Sequence, residues 1–384
     1  MRLSRGTIVL IVFGIVAAAI VGVGFFLQSR PPLEIRVAVN PLAEEWLRAA
    51  ADSFNASEPI VNASRRVVVR VEVTEDAPVW QGQVNWRDGA LEANGRVTLW
   101  IPAAAIAADY AASESRLLFE QAAPSLARTP LVWGGFSERV EALTQNGALP
   151  LDWSAVGDAA AKQSWDQIGG DPSWRFLNLA FMSPSRSSVG LMTLFSATAN
   201  YHQSAAITPE IIRDEAFRDW MIAPLSAVPN STTLGADPAQ SIAVRGTTLA
   251  DVALLPENLW LKNVNGLTQN GRGFTFAYPA YQYQLTFPAL RWSSANVLPE
   301  ESAAADLFVD WLLADAQQQS AMSLGLRPAE GEPDNRAALF NAATPYGILL
   351  APDYGVAVTP PSRTDALGLL SWYGQGITAG TLEG

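Results

Sequence analysis

Three short β-branched runs, residues 33–39 (LEIRVAV), 67–73 (VVVRVEV) and 97–100 (VTLW), punctuate the first hundred residues after a Pro31–Pro32 spacer. Helix-like segments separate or follow them: residues 43–54 place Leu47, Ala50, Ala51 and Phe54 on one face, and an Ala-rich helix starts at Ala103. This alternation is the pattern of an α/β protein with mostly parallel strands, and it excludes all-helical and all-β architectures. Residues 77–93 lack helical periodicity. At residues 126–135 (LARTPLVWGG) a strand with Pro124 before it and glycines at its end marks a crossing into a second lobe. That lobe has its own strand-loop-helix unit over 176–201, a helix over 209–221, and the apolar run 251–261 (DVALLPENLWL). Residues 271–278 (GRGFTFAY) read as a returning strand, and 303–324 as one long helix closed by Gly325. Two crossings predict a discontinuous first lobe (33–130 plus 275–384, including a C-terminal extension), a second lobe (131–274), and a cleft between them.

The 24 residues between Arg5 and Arg30 carry no charge, and residues 7–27 (TIVLIVFGIVAAAIVGVGFFL) have the length of one membrane-spanning helix. A cleaved signal peptide is the competing reading, but its apolar stretch is shorter, about 7–15 residues, and ends at a small-x-small site. Here the small cluster, Ala17 to Ala19, lies inside the segment. The expectation is therefore an uncleaved signal anchor over 7–27. Residues 1–6 would be cytoplasmic, 28–32 a spacer and the bulk extracytoplasmic, making a single-pass protein of the cell membrane. A lipid anchor needs a cysteine, and the chain has none. Residues 31–384 carry 22 basic and 37 acidic side chains, a net −15. With only two lysines, Lys162 and Lys262, the chain is not built to neutralise phosphates, which excludes nucleic acid as the main partner.

Enzyme chemistry finds little footing. Zero cysteines and one histidine, His202, remove thiolate metal sites, Cys nucleophiles and His-based triads. No G-x-S-x-G, H-E-x-x-H, Walker or G-x-G-x-x-G motif is present, so no catalytic residue, cofactor or metal is expected. Binding groups are easier to nominate. In Ser183-Pro-Ser-Arg-Ser-Ser-Val-Gly190 an apolar strand runs into an apolar-periodic helix, so hydroxyls and free N–H groups gather at a helix N-terminus, where an anion or polar oxygen is favoured. Arg186 adds a fixed charge; plain N-capping by one serine is the bland alternative. Open α/β sheets bind at the carboxyl ends of their strands, which nominates Asn40, Thr74 with Glu75 and Asp76, and Trp100. The two acidic neighbours suit a cation or are simply solvated. Among thirteen tryptophans, Trp46, Trp220 and Trp311 fall in helical patterns and pack, while Trp100 and Trp260 sit at strand ends as platforms for a sugar or cation. Tyr278, where the chain re-enters the first lobe, either bonds ligand or holds the hinge.

Seven pieces in order carry a resemblance: Phe54–Asn55 before VVVRVEV, WIPA at 100–103, LARTPLV at 126–132, W-x-x-I-G at 165–169, SPSRSSVG at 183–190, Tyr278–Pro279, and GLRPA at 325–329. Over residues 33–375 the chain resembles bacterial extracellular solute-binding proteins of the two-lobed, type II periplasmic-binding fold. More narrowly it is similar to the branch often joined to a von Willebrand factor A domain. That resemblance implies a type II periplasmic-binding-protein-like fold, here preceded by one N-terminal transmembrane helix, with lobes that close by a hinge on a small ligand and pass it to an ABC transporter permease. It also implies that Ser185, Ser187 and Ser188 face that ligand, an oxyanion or a sugar-like molecule. Two departures stand out. The D-x-S-x-S metal motif of the von Willebrand domain is absent, Asp152-Trp153-Ser154 matching only its first half, and residues 280–290 (AYQYQLTFPAL) replace a glycine-containing turn. The alternative function is a surface sensing or protein-interaction module that keeps the fold without a transport role.

Overall fold

The computed structural model describes residues 13–15, 31–62, 65–84, 86, 96–113, 118–162, 164–228 and 234–378. Strand β1 (Leu33–Val39) runs through a short 3₁₀ turn into helix α1 (Glu44–Ala56). The chain continues through β2 (Ile60–Val61), β3 (Arg65–Val73), α2 (Asp76–Trp80), β4 (Leu99–Ile101), α3 (Ala105–Ala112) and β5 (Phe119–Ala123). These strands, joined later by β12 (Ala289–Trp292), form one sheet in the order β2-β3-β1-β4-β12-β5. Strand β1 pairs in parallel with both β3 and β4; its last three residues, Val37 to Val39, are buried on both faces and all apolar, while Glu34 and Arg36 alternate with buried Leu33 and Ile35 in its first half. Helix α1 buries Trp46, Leu47, Ala50, Ala51 and Phe54, the face that its spacing predicts.

The second sheet is built around β6 (Ala127–Phe136), on which the chain first crosses from one lobe to the other. Its first half pairs antiparallel with residues 284–285 and 327–328, its second half with residues 252–256 and 274–277. In chain order this region contains β7 (Leu179–Ala180), α4 (Ser188–His202), β8 (Val252–Pro256), α5 (Glu257–Thr268), β9 (Phe274–Ala277), β10 (Tyr281–Gln282) and β11 (Gln284–Leu285). Helix α4 is the spine of this lobe, with every residue from Ser188 to Asn200 buried. Gly190 makes its packing possible: a Cβ there would lie 2.2 Å from the Met182 carbonyl oxygen, so the strand-loop-helix turn closes only around a glycine.

The chain rejoins the first sheet at β12 (Ala289–Trp292), not at residue 275, because β9 remains paired with β6. The expected single helix over 303–324 is two, α6 (Pro299–Leu313) and α7 (Asp315–Ser323), broken where Ala314 turns extended (φ −66°, ψ 145°). After β13 (Arg327–Pro328) the chain leaves the first lobe. Helix α8 (Ala338–Ala343) packs on α5, and, after β14 (Val356–Ala357), helix α9 (Arg363–Thr378) packs beside the helix Pro209–Arg213. The C-terminal extension therefore sits largely on the second lobe, where Phe340, Ala343 and Leu369 find apolar cover.

The expected transmembrane placement is corrected. Of residues 7–27 only 13–15, a helical fragment, belong to the described residues, and no helix among those is long and apolar enough to cross a membrane. Among the described residues of the non-periodic stretch 77–93 the one helix is α2, and residues 85 and 87–93 lie outside the described ones. For the packing around Gly190, Gly190→Ala is expected to lower the urea midpoint by the equivalent of about 1–3 kcal/mol, since the clash is with backbone that cannot rotate away. An unchanged midpoint contradicts this account of the turn.

Candidate functional site

Three loops at the carboxyl ends of β1, β3 and β4 converge. Asn40, 2% exposed, caps the turn after β1: its Oδ1 accepts from the Leu42 N–H at 3.0 Å, and its own N–H donates to the Ile101 carbonyl at 2.9 Å. The Thr74 N–H donates to the Val39 carbonyl at 2.9 Å, which brings Asp76 at the head of α2 beside Asn40. Asp76 is fully buried, and its Oδ2 accepts the Ala103 N–H at 2.9 Å. Two atoms in this cluster have no hydrogen-bond partner within 3.5 Å, Asn40 Nδ2 and Asp76 Oδ1, although the Asn40 amide and the Ser188 hydroxyl lie near enough to the carboxyl to act on its charge. Burial pushes the Asp76 carboxyl up to about 7, and the charge of Glu75 adds to the rise; the Asn40 amide, the Ala103 N–H and the Ser188 hydroxyl oppose it.

The second lobe meets this face with the N-terminus of α4. Ser187, the N-cap, accepts from the Val189 N–H at 3.2 Å, and Ser188 accepts from the Trp80 indole N–H at 3.1 Å across the lobe boundary. The Gln81 amide reaches the Ser185 carbonyl at 3.4 Å, and nearer the crossing strands Asn258 Nδ2 donates to the Leu42 carbonyl at 3.2 Å. Asn40, Asp76, Trp80, Ser187 and Ser188 thus form one buried polar layer between the lobes, held shut.

Other nominated residues lie elsewhere. Thr74 borders the layer, half-buried, while Ser185 and Arg186 point to solvent on the turn before α4. Trp100 and Trp260 offer no open face, a correction to their role as platforms. Trp100 is enclosed with Trp86 and Phe119 in the first lobe, and Trp260 packs on Phe274 and Phe276 with its N–H on the Val132 carbonyl at 2.9 Å. Asp152, half of the absent metal motif, caps the helix Trp153–Lys162 through the N–H groups of Ser154 and Ala155. Trp80, the bridge to Ser188, falls in the stretch without periodicity, and no sequence signal marked it.

Tyr278 follows β9 and is held in a buried charged network. Its hydroxyl donates to Glu257 Oε1 at 2.5 Å and accepts from Arg327 Nη2 at 3.2 Å and the Leu349 N–H at 3.2 Å, so it has no capacity left for a ligand. Arg327 and Glu257, each with a fully buried side chain, form a two-pronged pair at 2.6 and 2.8 Å. The guanidinium also reaches Glu332 and the carbonyls of Leu349 and Leu350, each at 2.7 Å. Burial alone would lower the pKa of Arg327, but the Glu257 bonds outweigh it and hold the charge more firmly than in water.

Beyond this network, residues 356–373 bind both lobes. Val358 donates to the Gln282 carbonyl, and Thr359 exchanges bonds with Ala205 and Ile207 of the second lobe. The Pro361 carbonyl accepts from the Tyr110 hydroxyl at 2.8 Å, and Arg363 donates to the Trp80 carbonyl at 2.7 Å, both on the first lobe. Asp365 and Trp372 then return to Arg213, Phe217 and Arg218 of the second.

No family model and no curated protein sequence matches the chain. Solved structures do. The sulfate-binding protein SubI from Mycobacterium tuberculosis H37Rv is 14% identical at a TM-score of 0.50, covering 89% of this chain and 99% of that one. The maltose-bound T. maritima protein MalE3 is 12% identical at 0.53, covering 91% and 95%. The GacH receptor of Streptomyces glaucescens GLA.O, solved unliganded and with acarbose, is 13% identical at 0.51, covering 92% and 94%. The chain therefore has the α/β, two-lobed periplasmic-binding-protein-like fold.

Two measurements check this geometry. Arg327→Met strands the Glu257 carboxylate in the core and is expected to cost about 3–5 kcal/mol in urea unfolding, most of it recovered in the Arg327→Met/Glu257→Leu double variant. For Asp76, the unfolded carboxyl releases its proton near 3.8 and the native one near 7. Between those values the native state binds the extra proton, so this group's contribution to stability is full at low pH, falls as pH rises through the window, and is gone above about 7. Asp76→Asn is expected to flatten that part of the stability–pH curve; an identical slope in the variant excludes the assignment.

Proposed function

We propose that this chain is a solute-binding protein that captures a small polar ligand between its lobes, without chemical turnover, and delivers it to an ABC-type transporter. One observation carries the reading: two buried, unpartnered polar atoms of the first lobe, Asn40 Nδ2 and Asp76 Oδ1, lie where the N-terminus of α4 closes from the second. A closed protein without ligand leaves those groups unsatisfied at a cost of about 1–3 kcal/mol each, and a polar ligand in that layer removes the cost. The fold-mates support the reading by what they hold: one is a sulfate-binding protein, another is bound to maltose, a third was solved with acarbose. The seven sequence pieces described above support membership of the branch often joined to a von Willebrand factor A domain. Asn40, Thr74, Ser187 and Ser188 are retained as ligand-facing groups; Ser185 and Arg186 stand at the rim, where only an opened cleft brings them to a ligand.

The test is thermal melting of the purified chain against panels of sugars, polyols, amino acids, peptides and oxyanions. A true ligand at a hundred times its Kd stabilises by about 2.7 kcal/mol, and a panel without any shift removes the proposal. With a ligand in hand, Ser187→Ala/Ser188→Ala is expected to weaken its Kd about tenfold or more by calorimetry. That readout is separate from the loss of about 1 kcal/mol of stability that uncapping α4 produces by itself.

A further inference from the structure

Resting on that reading, we infer that the group seated at Asn40 and Asp76 is a hydroxyl, and that the ligand is a neutral polyol or sugar, not an oxyanion. The argument is one of donors and acceptors. Asn40 spends its Oδ1 on the Leu42 N–H and leaves Nδ2, which can only donate. Asp76 spends Oδ2 on the Ala103 N–H and leaves Oδ1, which accepts when the carboxyl is ionised. A hydroxyl donates one hydrogen bond and accepts another, so a single C–OH satisfies both atoms. A fully ionised oxyanion has no proton for Asp76 and would lie against its negative charge. An ammonium has no lone pair for Asn40.

The electrostatics agree. No arginine or lysine appears among the groups acting on Asp76, and its charged neighbour is Glu75, a second carboxylate. Arg186, the one cation on the opposing turn, is exposed, whereas Ser187 and Ser188 are buried. The α4 N-terminus is thus presented by hydroxyls and opposed by a carboxylate, a combination that favours neutral oxygen over a formal anion. Trp80, 1% exposed, supplies an indole N–H that Ser188 now occupies and that a ligand hydroxyl takes over when the lobes reopen and close.

Calorimetric titration of the full chain at pH 8, where Asp76 is ionised, tests the inference with two probe sets: neutral polyols, mono- and disaccharides, including ribitol, glucose and maltose; and the fully ionised oxyanions sulfate and molybdate. The expected result is binding of a neutral probe and none of the oxyanions, with the affinity reduced at least tenfold in Asp76→Asn and in Asn40→Asp. Both substitutions keep size, and Asn40→Asp keeps the cap; circular dichroism confirms that each variant is folded. Oxyanion binding with silent neutral probes overturns the hydroxyl assignment and leaves the solute-binding reading standing. A neutral probe whose affinity is unchanged in both variants overturns the assignment too. Silence of both sets overturns the inference and the reading beneath it together.

Discussion

The bidentate pair between Arg327 and Glu257 is the contact on which the rest of the arrangement depends. Glu257 begins α5 directly after β8 of the second sheet, and Arg327 sits on β13 against β6, after the helices of the first lobe. Neither charge is exposed, so each requires the other, and the pairing fixes how the end of the first lobe meets the start of α5. The guanidinium's remaining donors go to Leu349 and Leu350, which sets where the C-terminal segment leaves this network. Gly355 then turns the chain at φ +60°, with its Cα so close to the Ala280 carbonyl that a Cβ would lie 2.5 Å away. From there β14 pairs with β10 and the last segment runs out across both lobes.

Local chemistry was legible in the sequence and long-range chemistry was not. Strands β1 and β3 and helix α1 followed from apolar spacing, because their burial repeats at a period that residues a few positions apart reveal, and α4 followed from a long apolar run that is buried all round. Asn40 and Ser187 were found because capping is a short-range act: an oxygen two residues before the N–H that it receives. Tyr278 was placed at the hinge, but its saturation by partners 21, 49 and 71 residues away carried no sequence signal. Asp76 looked like one of two solvated acids, and only the fold of three loops around it makes it buried. Trp100 and Trp260 stood at strand ends in the sequence, yet a strand end is a ligand wall only when nothing packs over it, and here other aromatic rings do.

The unsatisfied atoms in the lobe interface and the network around Arg327 divide the work. The Arg327–Glu257 pair is fully bonded, with every donor of its guanidinium engaged, which suits a pivot that keeps its own geometry while larger bodies move. The interface layer is bonded incompletely, and it is this incompleteness that the proposed ligand would relieve.

The C-terminal segment gives that closing surface a thermodynamic setting. By bonding Tyr110 and Trp80 on one side and Ala205, Ile207 and Arg213 on the other, it stabilises the shut form in the absence of any ligand. If the chain captures a solute as proposed above, the open, receptive form is then a minority population, and apparent affinity is weaker than intrinsic affinity by the fraction of molecules that are open. On that reading association would be limited by how often those few bonds let go, and the tail would act as a brake on the rate of capture although it contributes no atom to the buried polar layer.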